Sequence, residues 1–69
     1  MSIEEMIEAI YNEEVNIMIE SFWDAGYSFH IGDEVSGFID RFESMDFRSG
    51  VKWLYDQIVV TKMRRNVSS

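Results

Sequence analysis

The segment YSFHIGDEVSGFIDRFESM, residues 27–45, decides the fold of this chain. Apolar and polar residues alternate over residues 27–31, and a second run suited to a strand covers residues 38–44. Such alternation is typical of strands that have one buried face. Residues 32–37, between the two runs, begin and end with glycine, as expected of a turn. The segment therefore predicts a two-stranded antiparallel β-hairpin.

A long helix is predicted before the hairpin. Ser2 and Glu5 have the spacing of a capping box at its start. Apolar residues recur at helical spacing after them, so the helix is expected to run from Ile3 to about Trp23 and to stop at Gly26. At about 1.5 Å per residue its length would be roughly 30 Å.

A second helix is predicted after the hairpin, with Asp46 as its N-cap. Gly50 lies inside this helix, where glycine costs about 1 kcal/mol relative to alanine, and this indicates close packing beneath it. Cations at the carboxyl end would complement the helix dipole. These cations are Lys62, Arg64 and Arg65. Residues 66–69 are expected to form a disordered tail.

Together these elements predict a single α+β domain over residues 1–69. Its order would be helix, strand, strand, helix, with the two-stranded hairpin packed on both helices. In the alternative fold, residues 27–45 are irregular and a two-helix hairpin dimerises into a four-helix bundle. The regular alternation over residues 27–31 favours the first of these folds.

The small size of the chain predicts a homodimer or an obligate complex with a partner. A core built from 69 residues is expected to contribute only ~3–5 kcal/mol. The chain has no cysteine, so no disulfide adds to this. Glu14 would project into the apolar arc of the first helix, where an unpaired carboxylate is costly. It would either lie at the rim of the arc or pair across an interface with Arg48, Lys52 or Arg65 of the same chain or its mate. The residues expected at this interface are Glu14, Ile10, Ile17 and Met18.

Charge is divided unevenly along the chain. Residues 1–46 hold twelve acids and one base, whereas residues 47–69 hold one acid and five bases, which gives a net charge of −7. Some of the acids lie where a helix dipole favours them, and the others indicate a partner with a basic surface. Tryptophan is also common as an anchor at interfaces. The expected partner-binding residues are Glu5, Glu8, Glu20, Asp33, Glu34, Trp23 and Trp53.

The sequence argues against catalysis. No serine lies in a G-x-S-x-G elbow, and His30, the one histidine, fits a half-exposed strand residue. The acids that follow Gly32 lack the register of an EF-hand. A domain of this size also has little room for an enclosed pocket. We therefore expect no enzymatic activity, no metal ion and no cofactor.

The favoured function is that of a small acidic cytoplasmic protein that inhibits or modulates a protein partner, such as a nucleic-acid-handling enzyme. Anti-restriction and anti-CRISPR proteins of phages and mobile elements illustrate this class. One alternative is a structural or adaptor subunit of a larger complex. Another is a transcriptional accessory protein that contacts DNA through its basic carboxyl end, although the net negative charge disfavours direct nucleic-acid binding. No apolar run is long enough to predict a membrane-spanning helix.

Overall fold

The computed structural model describes residues 1–61 of the chain. The elements are helix α1 (Ile3–Asn12), strands β1 (Ile17–Phe22), β2 (Gly26–Asp33) and β3 (Gly37–Ser44), helix α2 (Phe47–Tyr55) and a π-helical continuation of α2 (Asp56–Val60). The three strands form an antiparallel sheet in the order β1-β2-β3. The predicted α+β class is confirmed, but the sheet has three strands where two were expected. The basic cluster and the tail predicted over residues 62–69 lie outside the described residues.

The first helix is much shorter than predicted, because residues 17–22 form a strand. Helix α1 ends at Asn12, and Glu14 then adopts a left-handed conformation with φ of 57°. The strand pairs in register with β2, from Ile17 opposite Ile31 to Phe22 opposite Gly26. Its apolar residues satisfy strand alternation as well as helical spacing, and pairing with β2, which follows after a short turn, favours the strand. The four-helix alternative is wrong because residues 27–45, which it takes as irregular, contain β2 and β3.

Both helix starts follow the sequence. The Ser2 hydroxyl accepts from the Glu5 N–H at 3.1 Å, and the Glu5 carboxylate accepts from the Ser2 N–H at 2.9 Å, so the capping box is confirmed. Hydrogen bonding of the Glu5 carboxylate to the Ser2 backbone N–H, and then to the Ser2 side chain, lowers the pKa of Glu5. Asp46 caps α2 by accepting from the hydroxyl and the backbone N–H of Ser49, which lower the pKa of Asp46 in that order.

The core lies between the sheet and the two helices. Its centre is Phe29 in β2, which is fully buried beneath α2. A Cβ added at Gly50 would overlap the Phe29 ring, so the close packing predicted at this glycine is confirmed. The other buried core residues are Met6, Ile10, Ile31, Val51, Leu54, Ile58 and Val59.

Candidate partner-binding surface

The two faces of the sheet have different surroundings. Phe29 and Ile31 of β2 point to the side that the helices cover. Ser28 and His30, which alternate with them, point to the opposite side, and no described element packs over that side. We call this side the outer face. It is made by Met18, Glu20, Phe22, Ser28, His30, Phe38, Arg41 and Glu43.

His30 lies at the centre of the outer face, directly between Met18 of β1 and Arg41 of β3. Its Nε2 atom lies 2.8 Å from Oε1 of Glu20, and its ring centroid lies 5.2 Å from that of Phe38. These neighbours leave only 9% of the residue exposed. The expectation of a half-exposed histidine is therefore wrong, because side chains of the neighbouring strands cover the ring.

A β-bulge brings Phe38 to His30. The pairing of β2 with β3 shifts after Ile31, so Gly32 lies opposite Phe38 and Ile39 is the extra residue. Gly32 has φ of 115°, and a Cβ at this position would meet the backbone of β3, so a larger residue is strained here. The bulge therefore places the Phe38 ring on the outer face. Without it, regular alternation would place this ring on the opposite face of the sheet.

Large apolar side chains on and beside the outer face reach solvent. Phe22 is 44% exposed and Phe38 is 45% exposed. Trp23, in the turn after β1, is 95% exposed. The turn is held by a hydrogen bond from Ala25 N to the carbonyl oxygen of Phe22 at 3.0 Å. A depression of about 370 Å³ lies between the two ends of the sheet, and part of its lining is formed by Glu20, Phe22, His30 and Arg41. The surface thus offers exposed rings around a shallow polar centre.

The predicted acidic residues do not form one surface, since the structure distributes them over three parts of the molecule. Glu5 and Glu8 belong to α1, where Glu5 is part of the capping box. Asp33 and Glu34 lie at the turn between β2 and β3. Only Glu20 lies on the outer face, where it binds His30. These acids therefore do not share one face of the molecule, and their role in partner binding stays a prediction.

Asp33 has a structural role in its turn. Its Oδ1 atom accepts from the N–H groups of Val35 and Ser36 at 2.8 and 2.6 Å, and its Oδ2 atom accepts from the Asn16 side chain at 2.5 Å. The backbone bond from Ser36, followed by the Asn16 amide, lowers the pKa of Asp33. The carboxylate therefore stabilises the hairpin and connects it to the segment before β1.

The two tryptophans lie in different environments. Trp23 extends into solvent at the β1–β2 turn. Trp53 is partly buried and stacks on Phe42, with ring centroids 5.3 Å apart and planes inclined by 15°. Trp53 thus contributes to packing between α2 and β3. Of the two predicted anchors, Trp23 is the one that presents its whole side chain to solvent.

The residues predicted for a dimer interface are also separated. Ile10 is 1% exposed within the core, so it has no surface to offer a second copy. Glu14 is exposed in the turn after α1 and does not enter an apolar arc. Ile17 and Met18 lie on β1 and are half-buried.

Two of the cations proposed to pair with Glu14 have other partners. Arg48 donates to the Met1 carbonyl at 3.1 Å, and Lys52 lies 3.5 Å from Oδ2 of Asp56. The third, Arg65, lies outside the described residues. Within residues 1–61, none of the proposed cations therefore forms an ion pair with Glu14.

The hydrogen bond between His30 and Glu20 fixes the orientation of the His30 ring on the outer face. Nucleophilic catalysis would need a serine hydroxyl bonded to the second ring nitrogen of His30, and no described serine makes that bond. No group of three or more His, Cys, Asp or Glu side chains that could hold a metal ion occurs within residues 1–61. The helices in this part of the chain are too short or too polar to cross a membrane.

The sequence reasoning missed Phe22, Phe38 and the buried state of His30. The available signal was the segment IMIESF, residues 17–22, whose isoleucines favour strands and whose end is followed by a turn containing Gly26. Comparison of the chain with family models, with curated proteins and with solved structures finds no match. The geometry of the outer face is therefore the basis on which a function is inferred.

Proposed function

We propose that the chain is a small acidic binding protein that docks on another protein and thereby inhibits or modulates it. The docking surface consists of the outer face together with Trp23. The observation that carries this proposal is the exposure of Phe22 and Phe38 on a sheet face that no described element covers. Aromatic side chains are enriched at protein interfaces relative to the rest of the surface, so exposed rings around an ordered centre favour a binding role.

The centre of the surface is organised before any partner binds. His30 is held between the Glu20 carboxylate and the Phe38 ring, so its side chain has little freedom left to lose. Binding to an ordered surface costs less conformational entropy than binding to a mobile one. Aromatic anchors around such a centre supply most of the affinity of typical interfaces. Phe22, Phe38 and Trp23 are the anchors that this proposal names.

Charge supports a partner with a basic surface. The chain contains thirteen acids and six bases, which gives it a net charge of −7. A field of this sign accelerates encounters with basic proteins and repels nucleic acid. A nucleic-acid-handling enzyme presents such a surface, so it is the partner class that we favour. The adaptor alternative shares the same docking surface and differs in its weaker dependence on charge.

Capture of partners by surface variants tests the docking surface. The immobilised protein is compared with Trp23→Ala, with Phe38→Ala and with the control Val35→Ala, which removes an exposed apolar side chain from the β2–β3 turn. We expect at least one host protein to be retained by the wild type and the control and to be lost with both outer-face variants. Identical sets of captured proteins for all four would overturn the proposal.

Salt separates the modulator of a basic partner from the adaptor. With the captured partner purified, affinity is measured against increasing salt concentration. Attraction between an acidic protein and a basic surface weakens steeply as salt screens it, whereas aromatic anchoring alone does not. A steep decline supports the basic partner, and affinity that is independent of salt supports the adaptor.

A further inference from the structure

The two edges of the sheet are protected to different degrees. Strand β3 carries the bulge at Ile39 and three charged residues, which are features that discourage a further strand. Strand β1 pairs with β2 without a bulge and carries one charged residue, Glu20. The Glu20 carboxylate is directed to His30 of the neighbouring strand. The β1 edge therefore lacks the usual features that prevent strand addition.

The open edge of β1 carries a regular row of unused backbone groups. The carbonyl oxygen of Asn16 accepts from Gly32 N at 2.7 Å, so the backbone groups of Asn16 face β2. Successive residues of an antiparallel strand face alternate sides. The N–H and C=O groups of Ile17, Ile19 and Ser21 consequently face away from β2. No residue in the described range 1–61 forms a backbone hydrogen bond with them.

We infer that the β1 edge binds an extended segment of the partner protein as a fourth strand of the sheet, with apolar and basic residues alternating along that segment. Addition of a strand to a sheet edge is a recurring mode of peptide recognition, in which main-chain bonds give affinity and alternate side chains give specificity. The inference rests on the proposed function, because it describes the part of the partner that binds.

The alternation follows from the two sides of β1. Ile17 and Ile19 are half-buried on the side of the helices, so neighbouring side chains of an added strand would be apolar there. Glu20 lies on the outer face, so the side chain beside it would be basic. Glu14 precedes the strand and Asp24 follows it, while no lysine or arginine occurs before Arg41. The edge is therefore an apolar strand with acids at its middle and at both ends.

The same charges disfavour a second copy of the chain as the occupant. Two copies that joined through β1 would bring together two chains that each carry a net charge of −7. Like charges oppose such an association, whereas a basic segment is attracted to the edge. A partner segment is thus a better match to this edge than a second β1.

A synthetic peptide of alternating valine and lysine is the probe for the edge, and a peptide of alternating valine and glutamate is its control. Binding is followed by amide NMR of the full chain, together with hydrogen exchange. We expect the valine–lysine peptide to bind and to slow exchange at the amides of Ile17, Ile19 and Ser21. Equal binding of both peptides, or protection confined to other strands, would overturn the inference.

Proline substitutions at the two edges provide a matched pair. Ser21→Pro removes an N–H that faces the open edge of β1, and Glu43→Pro removes an N–H that faces the open edge of β3, so both spare the bonds to β2. We expect Ser21→Pro to weaken peptide binding about tenfold and Glu43→Pro to leave it nearly unchanged. Amide spectra establish that both variants remain folded. Equal weakening by the two prolines would contradict a site on β1.

Charge reversal tests the basic component without altering the strand. The double variant Glu14→Lys with Asp24→Lys changes the two ends of the edge, and Glu4→Lys with Glu8→Lys makes the same change of net charge on α1. We expect the first pair to weaken valine–lysine peptide binding about tenfold more than the second. Equal effects would mean that net charge alone attracts the peptide, and this would overturn the assignment to the edge.

Two further outcomes have defined meanings. If sedimentation of the protein alone shows a dimer that Ser21→Pro dissociates, the occupant is a second copy and the inference is wrong. If Ser21→Pro still captures host proteins that Trp23→Ala loses, the proposed function stands and the edge inference fails. Loss of peptide binding with Ser21→Pro, together with host capture that no outer-face variant alters, supports the edge and removes the outer face from the proposed function.

Discussion

Phe29 and His30 are neighbours in β2, and both are buried, but in different ways. Phe29 points to the helices and is covered by α2, which approaches closely at Gly50. His30 points to the outer face and is covered by Glu20 and Phe38 of its own sheet. The helix-covered side contributes most to stability because it removes whole apolar side chains from water. The outer face buries one polar ring and leaves aromatic rings available to a partner.

The largest expected effect comes from the helix-covered side. Phe29→Ala should cost about 3–5 kcal/mol, because it removes a fully buried ring and leaves a cavity. In a domain of this size that loss is comparable to the whole free energy of unfolding. Urea unfolding is the measurement, and the control is Phe38→Ala on the outer face, for which we expect a loss of about 1 kcal/mol. Similar losses for both variants would contradict the difference between the two sides.

Gly50→Ala should have the next largest effect. The added methyl group would overlap the Phe29 ring, and the overlap should outweigh the better helix propensity of alanine, for a net loss of about 1–2 kcal/mol. Thermal and urea unfolding measure this loss. Combining Gly50→Ala with Phe29→Leu should cost less than the sum of the single changes, because the two sites share one space. A more stable Gly50→Ala variant would refute the close contact.

A smaller loss is expected on the outer face. Glu20→Ala removes the hydrogen-bond partner of a buried imidazole and should cost about 1 kcal/mol. The control is Glu43→Ala, which breaks the 3.2 Å pair with Arg41, in which both side chains are largely exposed. Pairs of this type contribute little, so we expect less than about 0.5 kcal/mol. Urea unfolding compares the two, and equal losses would mean that the Glu20–His30 hydrogen bond stabilises the fold no more than the exposed pair does.

The smallest expected effect is on the stability of the fold at acidic pH. Hydrogen bonds from Ser49 lower the pKa of Asp46, so the ionised carboxylate stabilises the folded state above the unfolded pKa. This contribution should disappear as the pH falls below the ordinary value of about 3.9 and through the lower folded value. Asp46→Asn keeps a good N-cap but does not titrate. Its stability should therefore decrease less between neutral and strongly acidic pH, as thermal unfolding can show. Parallel pH profiles would contradict this role of Asp46.

Local features of the sequence predicted much of the fold. The caps at Ser2 and Asp46, the alternation over residues 27–31 and the close packing at Gly50 were all identified correctly. Each depends on residues within a few positions of each other or on an intrinsic preference of one residue type. The prediction of residues 17–22 as helix was wrong because helical spacing and strand alternation both fit these residues.

The candidate surface was less predictable from the sequence. Glu20 and Trp23 were identified as partner-binding residues, and the structure places one on the outer face and the other beside it. Their companions Phe22 and Phe38 depend on β1 being a strand and on the bulge at Ile39. A single sequence contains no pattern that predicts the strand β1 over a helix, or that predicts the bulge at Ile39. Whether any of these residues bind a partner stays a prediction.

The sequence by itself determined the α+β class, the helix starts, the hairpin and the charge of the molecule, because short-range rules govern each of these. Tertiary structure alone decided the third strand, the burial of His30 and the open edge at β1. These depend on the register between neighbouring strands, such as Ile17 opposite Ile31 and Gly32 opposite Phe38, which neither strand specifies by itself. Cross-strand contacts supply the free energy of this pairing, so residues 17–22 are stable as a strand only when β2 lies beside them.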